Sequence, residues 1–418
     1  MIRAAFPTGP LRRCRLRFRT LPIFLGFFVM GLVDAVGTLV GFAEREFQLS
    51  GAQAGLLPFF GFIAFALFSV PAGVVADRRG RKFLMVASLA VVLAGQLIPC
   101  LSVAHYGLLL GAIFLIGAGM AALQVAGNPI MRDVSAPGRY ARNLTFAQFV
   151  KSLGSISGPY LTAQLVVLGF AWYHIFPLFA GVTLLTLLLV AAVPVAESQA
   201  DATPAGVASS LALLAHPPVA LAVLGIFLYV GAEVGLNSWL ATLLARAFDM
   251  DLASSATRFG PGLFFLALAA GRLLGSAVLS FIGARRFFLV SALLGLGGLG
   301  LLLLGSRPLA LAGIAACGLG FANVWPLVFA LTVESRPERT GALSGLMCMA
   351  IFGGAVLPAL MGLVADHHGV RLAFLVPVAA FIYLTILALA AQRGTGARPP
   401  RPPRPGELPT ASPAAGPA

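Results

Sequence analysis

Twelve stretches of about 20 or more mostly apolar residues succeed one another along the chain, each long enough to cross a bilayer as an α-helix. They lie near 21–43, 52–76, 83–103, 106–131, 143–168, 173–193, 217–246, 256–280, 286–305, 309–333, 340–365 and 371–392. Hydrocarbon offers a backbone no water to bond with, so a chain of this kind crosses as helices. The first stretch exceeds a signal-peptide core and has no small-residue cleavage site behind it, so it reads as a span. With 59% hydrophobic and 10% charged residues, too little polarity remains to coat a soluble domain of 418 residues. The expected organisation is a basic arm (1–19), six spans (20–193), a central loop (194–216), six more spans (217–392) and a disordered Pro-rich tail (393–418).

The net charge of +14 raises nucleic-acid binding, but the distribution excludes it. Of the 28 Lys and Arg, 21 fall in the arm, the tail and the alternate loops between them, five fall in the opposite loops, and Lys151 and Arg272 lie within spans. That bias predicts cytoplasmic N- and C-termini. Cys14, Cys100, Cys317 and Cys348 have neither disulfide nor zinc spacing. His105 and His174 read as solvated loop residues, and the adjacent His367–His368 pair at a span end is not expected to hold a metal. A sensor would need an output domain and an intramembrane enzyme a nucleophile–base or metal constellation; neither is found.

The chain repeats itself. GVVADRRGRK (73–82) has a weaker echo in SAVLSFIGARR (276–286), with Gly283 lying 203 residues after Gly80. Pro129 and Pro326 are offset by 197, Pro159 and Pro358 by 199, and FFVMG (27–31) and FLYVG (227–231) by 200. Offsets this similar point to two six-helix halves, an arrangement of secondary transporters that places a substrate site between the halves near the midplane.

Polar residues inside the spans mark that site, because side chains at such depth face protein or a cavity. Gln124 and Asn128 are spaced i, i+4, and Gln148 and Lys151 i, i+3, so each pair shares one helix face. Asp34, in an apolar run, is the leading proton carrier, with a purely structural ion pair to Lys151 or Arg272 as the competing reading. Glu233 is the second carrier candidate, although its place toward an outer boundary favours a solvated or helix-linking role. Lys151 reads as a counter-charge for Asp34, as an anchor for an anionic substrate, or as a lysine snorkelling to its helix end. Arg272 reads as a structural ion-pair partner. Asn323 and Trp325 sit beside Pro326 within the tenth span.

The frame Gly73-Val-Val-Ala-Asp77-Arg78-Arg79-Gly80-Arg81-Lys82 resembles the signature loop of the major facilitator superfamily. The segments LQVAGNP (123–129) and RNLTFAQFVKSLGSISGP (142–159) resemble its fucose/galactose/glucose–proton symporter family, as do YVGAEVGLNSWLATLL (229–244) and most of residues 20–390. The resemblance implies an all-α membrane protein of twelve transmembrane helices in two pseudo-symmetric bundles. Its function would be to carry a monosaccharide by proton symport and alternating access across the cytoplasmic (inner) membrane, as a monomer, with the proton gradient in place of a cofactor. Gly73, Asp77, Arg78, Gly80 and Arg81 would form a cytoplasmic gate, with Asp77 at a helix N-terminus and the arginines paired to it. Asn128 and Gln148 would bond sugar hydroxyls, and Trp239 or Trp325 would stack on a sugar face, unless they are interfacial anchors. Three departures stand out: Gln124 replaces a carboxylate of the L-fucose permease, the permease's first-span acid aligns with Gly37 rather than Asp34, and Lys151 replaces an Asn. Transport of an organic anion or sugar acid, or drug export, is the alternative.

Overall fold

The computed structural model describes residues 10–34, 39–103, 105–194, 197, 206–248, 255–304 and 306–393, with backbone alone for 10–19, 51–52, 247 and 255–261. Gly37 and the Pro-rich tail after Arg393 lie outside the described residues. Twelve helices carry the fold: α1 (Pro10–Asp34), α2 (Gly51–Arg79), α3 (Arg81–Leu101), α4 (Tyr106–Asp133), α5 (Tyr140–Val167), α6 (Ile175–Ala192), α7 (Pro217–Phe248), α8 (Ser255–Val278), α9 (Ala284–Leu303), α10 (Arg307–Ser335), α11 (Pro337–His368) and α12 (Val370–Arg393). Among the described residues, nine helices are long and apolar enough to cross a membrane, and α1 and α8 contribute the shorter apolar segments Thr20–Asp34 and Gly262–Val278. The twelfth, α5, is interrupted by Arg142, Gln148 and Lys151; it is the least lipid-like helix because it carries so much of the polar interior.

Two segments outside the spans also carry regular structure. The arm expected to precede the first span is helical from Pro10 onward, proline being well suited to a helix start. The central loop also contains regular structure, a short helix at Val207–Leu211 followed by a 3-10 turn at Ala212–Ala215.

The repeat reappears as matching helix crossings. In the first bundle a Cβ on Gly154 of α5 would fall on the carbonyl oxygen of Phe28 in α1, and one on Gly31 would fall on the carbonyl of Lys151. In the second, a Cβ on Gly353 of α11 would fall on the carbonyl of Phe227 in α7. Only glycine lets backbones meet so closely. The crossing of α1 with α5 places Asp34, one turn beyond Gly31, over the side chains of α5.

Two spans are broken. In α10 the helix stops at Phe321 and restarts at Val324, because Pro326 has no N–H to give to the carbonyl of Ala322 four residues earlier. In α11 a 3-10 turn at Ala350–Phe352 separates Thr340–Met349 from Gly353–His368.

Candidate functional site

The loop between α2 and α3 and the connection between α4 and α5 share one end of the molecule, here called the basic end. There the bundles are fastened together. The Asp77 carboxylate accepts the backbone N–H groups of Gly341 and Ala342 at the start of α11, where the helix dipole favours a negative charge. Gly73, one turn earlier on α2, lies directly under the carbonyl of Gly341. Arg132 of α4 donates to Thr340 Oγ1 at 2.9 Å, and Ser344 of α11 donates to the Val125 carbonyl at 2.9 Å.

Arg81 pairs with Asp133 of its own bundle, both side chains being buried, and its positive charge also acts on the Asp77 carboxylate, while Arg78 is exposed. Gly80 takes a φ of +90°, open chiefly to glycine. Its bare Cα leaves a seat for Glu197 of the central loop, whose two carboxylate oxygens accept the N–H groups of Arg81 at 2.6 Å and Lys82 at 2.8 Å. Glu197 therefore caps α3 from the central loop.

Deeper in, two acid–base pairs lie near the meeting of the bundles. Lys151 Nζ stands 3.0 Å from Asp34 Oδ2, and Ser155 donates to the same oxygen at 3.3 Å. The Asp34 side chain keeps 41% of its exposure, against 15% for Lys151. Arg272 Nη2 lies 3.6 Å from Glu233 Oε1. Arg272 also crosses to the first bundle, where Nη1 donates to Ser152 Oγ at 2.6 Å and to the Gln148 carbonyl at 3.4 Å. Its Nε donates at 3.3 Å to the carbonyl of Ala322, the acceptor that Pro326 leaves without a helical donor.

Around these pairs, Gln148 Nε2 faces Asn128 Oδ1 at 3.5 Å, and Tyr140 donates to the Asn128 carbonyl at 3.1 Å. Asn323, in the break of α10, donates to the Gly271 carbonyl at 3.0 Å. Gln124, Asn128, Gln148 and Asn323 are all buried. Among the described residues, Asn128 Nδ2 and Asn323 Oδ1 are buried without a hydrogen-bond partner, one donor in the first bundle and one acceptor in the second. Buried polar atoms are normally paired, so these two are prepared for a polar ligand or a rearrangement.

Asp34 and Lys151 therefore meet, and Gln148 joins Asn128. Glu233 does not lie toward a boundary. Glu233 falls in the middle of α7 and is partly shielded. Trp239 is half-buried and donates to the Pro358 carbonyl of α11 at 3.1 Å. Trp325 is buried and stacks on Phe329 at 4.9 Å between ring centroids.

A family model described as Major Facilitator Superfamily matches residues 23–264 and 261–416. The chain belongs to the major facilitator superfamily. It is 28% identical over 386 residues to a glucose/galactose transporter of Brucella abortus, covering 89% of this chain and 93% of that one. It is 23% identical over 381 residues to the L-fucose-proton symporter of Escherichia coli K12, covering 82% and 86% respectively. The fold also matches the crystal structure of the transporter FucP in its outward conformation, with a TM-score of 0.75, 22% identity and coverage of 90% and 99%.

In this facilitator, sequence reasoning gave too little to Arg272 and missed Ser152 and Ser155. An arginine inside a span is itself a signal, and its reach across the bundles exceeds a structural pair. The serines gave none, since a helical serine can satisfy itself on the preceding turn, as Ser152 does on the Gln148 carbonyl, while the single proton of Ser155 is shared between the Lys151 carbonyl and Asp34.

Proposed function

We propose that this protein is a proton-coupled monosaccharide transporter of the cytoplasmic membrane, working by alternating access. The observation that carries the proposal is charge balance in the polar interior. Each bundle supplies one acid and one base, and Lys151, the cation that would suit an anionic cargo, lies against Asp34. A site with its charges paired and with unmatched amide groups at Asn128 and Asn323 suits an uncharged, hydroxyl-rich ligand. Such a ligand offers donors and acceptors without a charge to desolvate. The likeness to glucose/galactose transporters and to a fucose–proton symporter supports the same cargo class.

The basic end would be cytoplasmic, in keeping with the positive-inside bias, and closed in this conformation by Asp77, Arg132 and Ser344. Asp34 is the proposed proton carrier. Its exposure gives a proton access, and neutralising it would dissolve the pair with Lys151 and loosen α1 from α5. Glu233 would hold Arg272 in position to join the bundles, and Gln124 would line the path beside Asn128.

The test is uptake into proteoliposomes under an inward proton gradient, comparing neutral hexoses and 6-deoxyhexoses with hexuronates. Gradient-driven accumulation of a neutral sugar is expected. Accumulation of the acid alone would replace this reading with an anion carrier built around Lys151.

A further inference from the structure

The internal repeat identifies two seams between the bundles at the basic end, and they are not filled alike. One is the seam of α2 with α11, where Asp77 docks on Gly341 and Ala342. The other joins α8 and α5. The offset of 203 that carries Gly80 onto Gly283 carries Asp77 onto Ser280 and Gly73 onto Ser276. The offset of 199 that carries Pro159 of α5 onto Pro358 of α11 carries Arg142 onto Gly341 and Phe146 onto Gly345. The second seam therefore has serine where the first has its carboxylate, and arginine where the first has a glycine receiving that carboxylate.

At this place the structure has a cavity of about 340 Å³ lined by Arg142, Asn143, Phe146, Ser276, Ala277 and Ser280. Its existence follows from the substitutions. In the first seam Gly73, Gly341 and Gly345 let the backbones touch, whereas the equivalent positions of the second carry Ser276, Arg142 and Phe146, which line the cavity. The volume is in the range of small-ligand sites, roughly 300–1,000 Å³.

The polar lining is incompletely used. Arg142 makes only long contacts from Nε and Nη2 to the Asn143 side-chain oxygen, both 3.4 Å, and has no carboxylate partner among the described residues. Asn143 donates onward to Ser135 at 2.8 Å, and Ser276 to the Leu273 carbonyl at 2.7 Å. An uncompensated guanidinium beside hydroxyl groups calls for an oxyanion. The position decides its source. The cavity involves the first two turns of α5 and the last turn of α8, where a spanning helix meets the headgroup layer. Exposed Leu274 (58%) and Phe281 (90%) flank it as a lipid-facing surface would.

We propose that the seam between α5 and α8 binds the phosphate of an anionic phospholipid headgroup, which takes the place that Asp77 fills in the other seam. Arg142 pairs with the phosphate, Ser280 donates to it, and the acyl chains lie along Phe146, Leu274 and Phe281. The bound lipid joins the two bundles as the Asp77 contact does, so this site does not depend on the identity of the transported sugar.

The test is native mass spectrometry of the full-length protein in detergent, titrated with phosphatidylglycerol. One specifically retained lipid is expected. Arg142→Gln should weaken its retention about fivefold, the effect of one basic side chain on an anionic lipid, while Arg393→Gln, at the exposed end of α12, should not. Ser280→Asp should displace the lipid by supplying the missing carboxylate, which keeps the idea testable should Arg142→Gln fail to fold. Equal retention by the wild type, Arg142→Gln and Ser280→Asp would overturn the proposal. So would competition by glycerol phosphate as effective as by the lipid, which would make this a soluble-anion pocket. Because binding alone is read, failure here leaves the transport proposal standing, and failure of transport leaves this one standing.

Discussion

Asp34 and Glu233 occupy neighbouring but not identical places in the repeat, three and two residues after the glycines of FFVMG and FLYVG, and they hold their bases differently. Asp34 pairs with a lysine of its own bundle that the glycine crossing of α1 and α5 brings beneath it, and it keeps substantial exposure. Glu233 pairs with an arginine that also bonds α5 of the opposite bundle and the broken strand of carbonyls in α10. The position equivalent to Lys151, 199 residues on, is Ala350, so Glu233 has no base on α11 and takes one from α8. One pair is accessible and local, suited to titration. The other is shielded and spans the molecule, suited to holding a conformation.

Substitutions can break or sharpen this contrast. The largest effect is expected from Arg272→Leu, which leaves Glu233, Ser152 and the Ala322 carbonyl without their donor. It should lower stability by about 3 kcal/mol, read by thermal unfolding, and adding Glu233→Leu should restore part of the loss. Next, Gly154→Val and Gly353→Val should each cost about 1–3 kcal/mol by overpacking a crossing. Only Gly154→Val should also abolish proton-driven accumulation, because only it drives α1 and Asp34 away from Lys151. Asp34→Asn should change stability by less than about 1 kcal/mol, as expected for a pair with one exposed partner. It should retain sugar exchange down a gradient and lose accumulation; unchanged accumulation would transfer the coupling role to Glu233. The smallest effect should come from Ser155→Ala, about 0.5–1 kcal/mol for one hydrogen bond, with the proton dependence of uptake altered rather than lost.

Much of the fold was legible because bilayer thickness dictates span length. The intramembrane positions of Asp34, Lys151, Asn128 and Gln148 were legible for a related reason: polar side chains at that depth are costly and therefore placed for a use. Pairings were less visible. Asp77 and Gly341 lie 264 residues apart, and backbone amides leave no mark in a sequence that could announce them as the partner. The mid-helix place of Glu233 was already given by the span 217–246, whose middle it occupies, and the structure keeps it there. The arginine of α8 was legible as a charge but not as a bridge, since its reach depends on how the two bundles lie together.

The contact of Arg272 with α10 has a consequence for how such chains can change over generations. Pro326 opens a gap in the backbone bonding of α10, and Arg272 fills it from another helix. Neither residue is free to vary alone. Replacing the proline lets the helix close on itself and casts off one of the arginine's anchors, while replacing the arginine exposes the wound that the proline made. Among descendants of this sequence the two positions should be exchanged together or kept together, although they stand on different helices and never touch through their side chains.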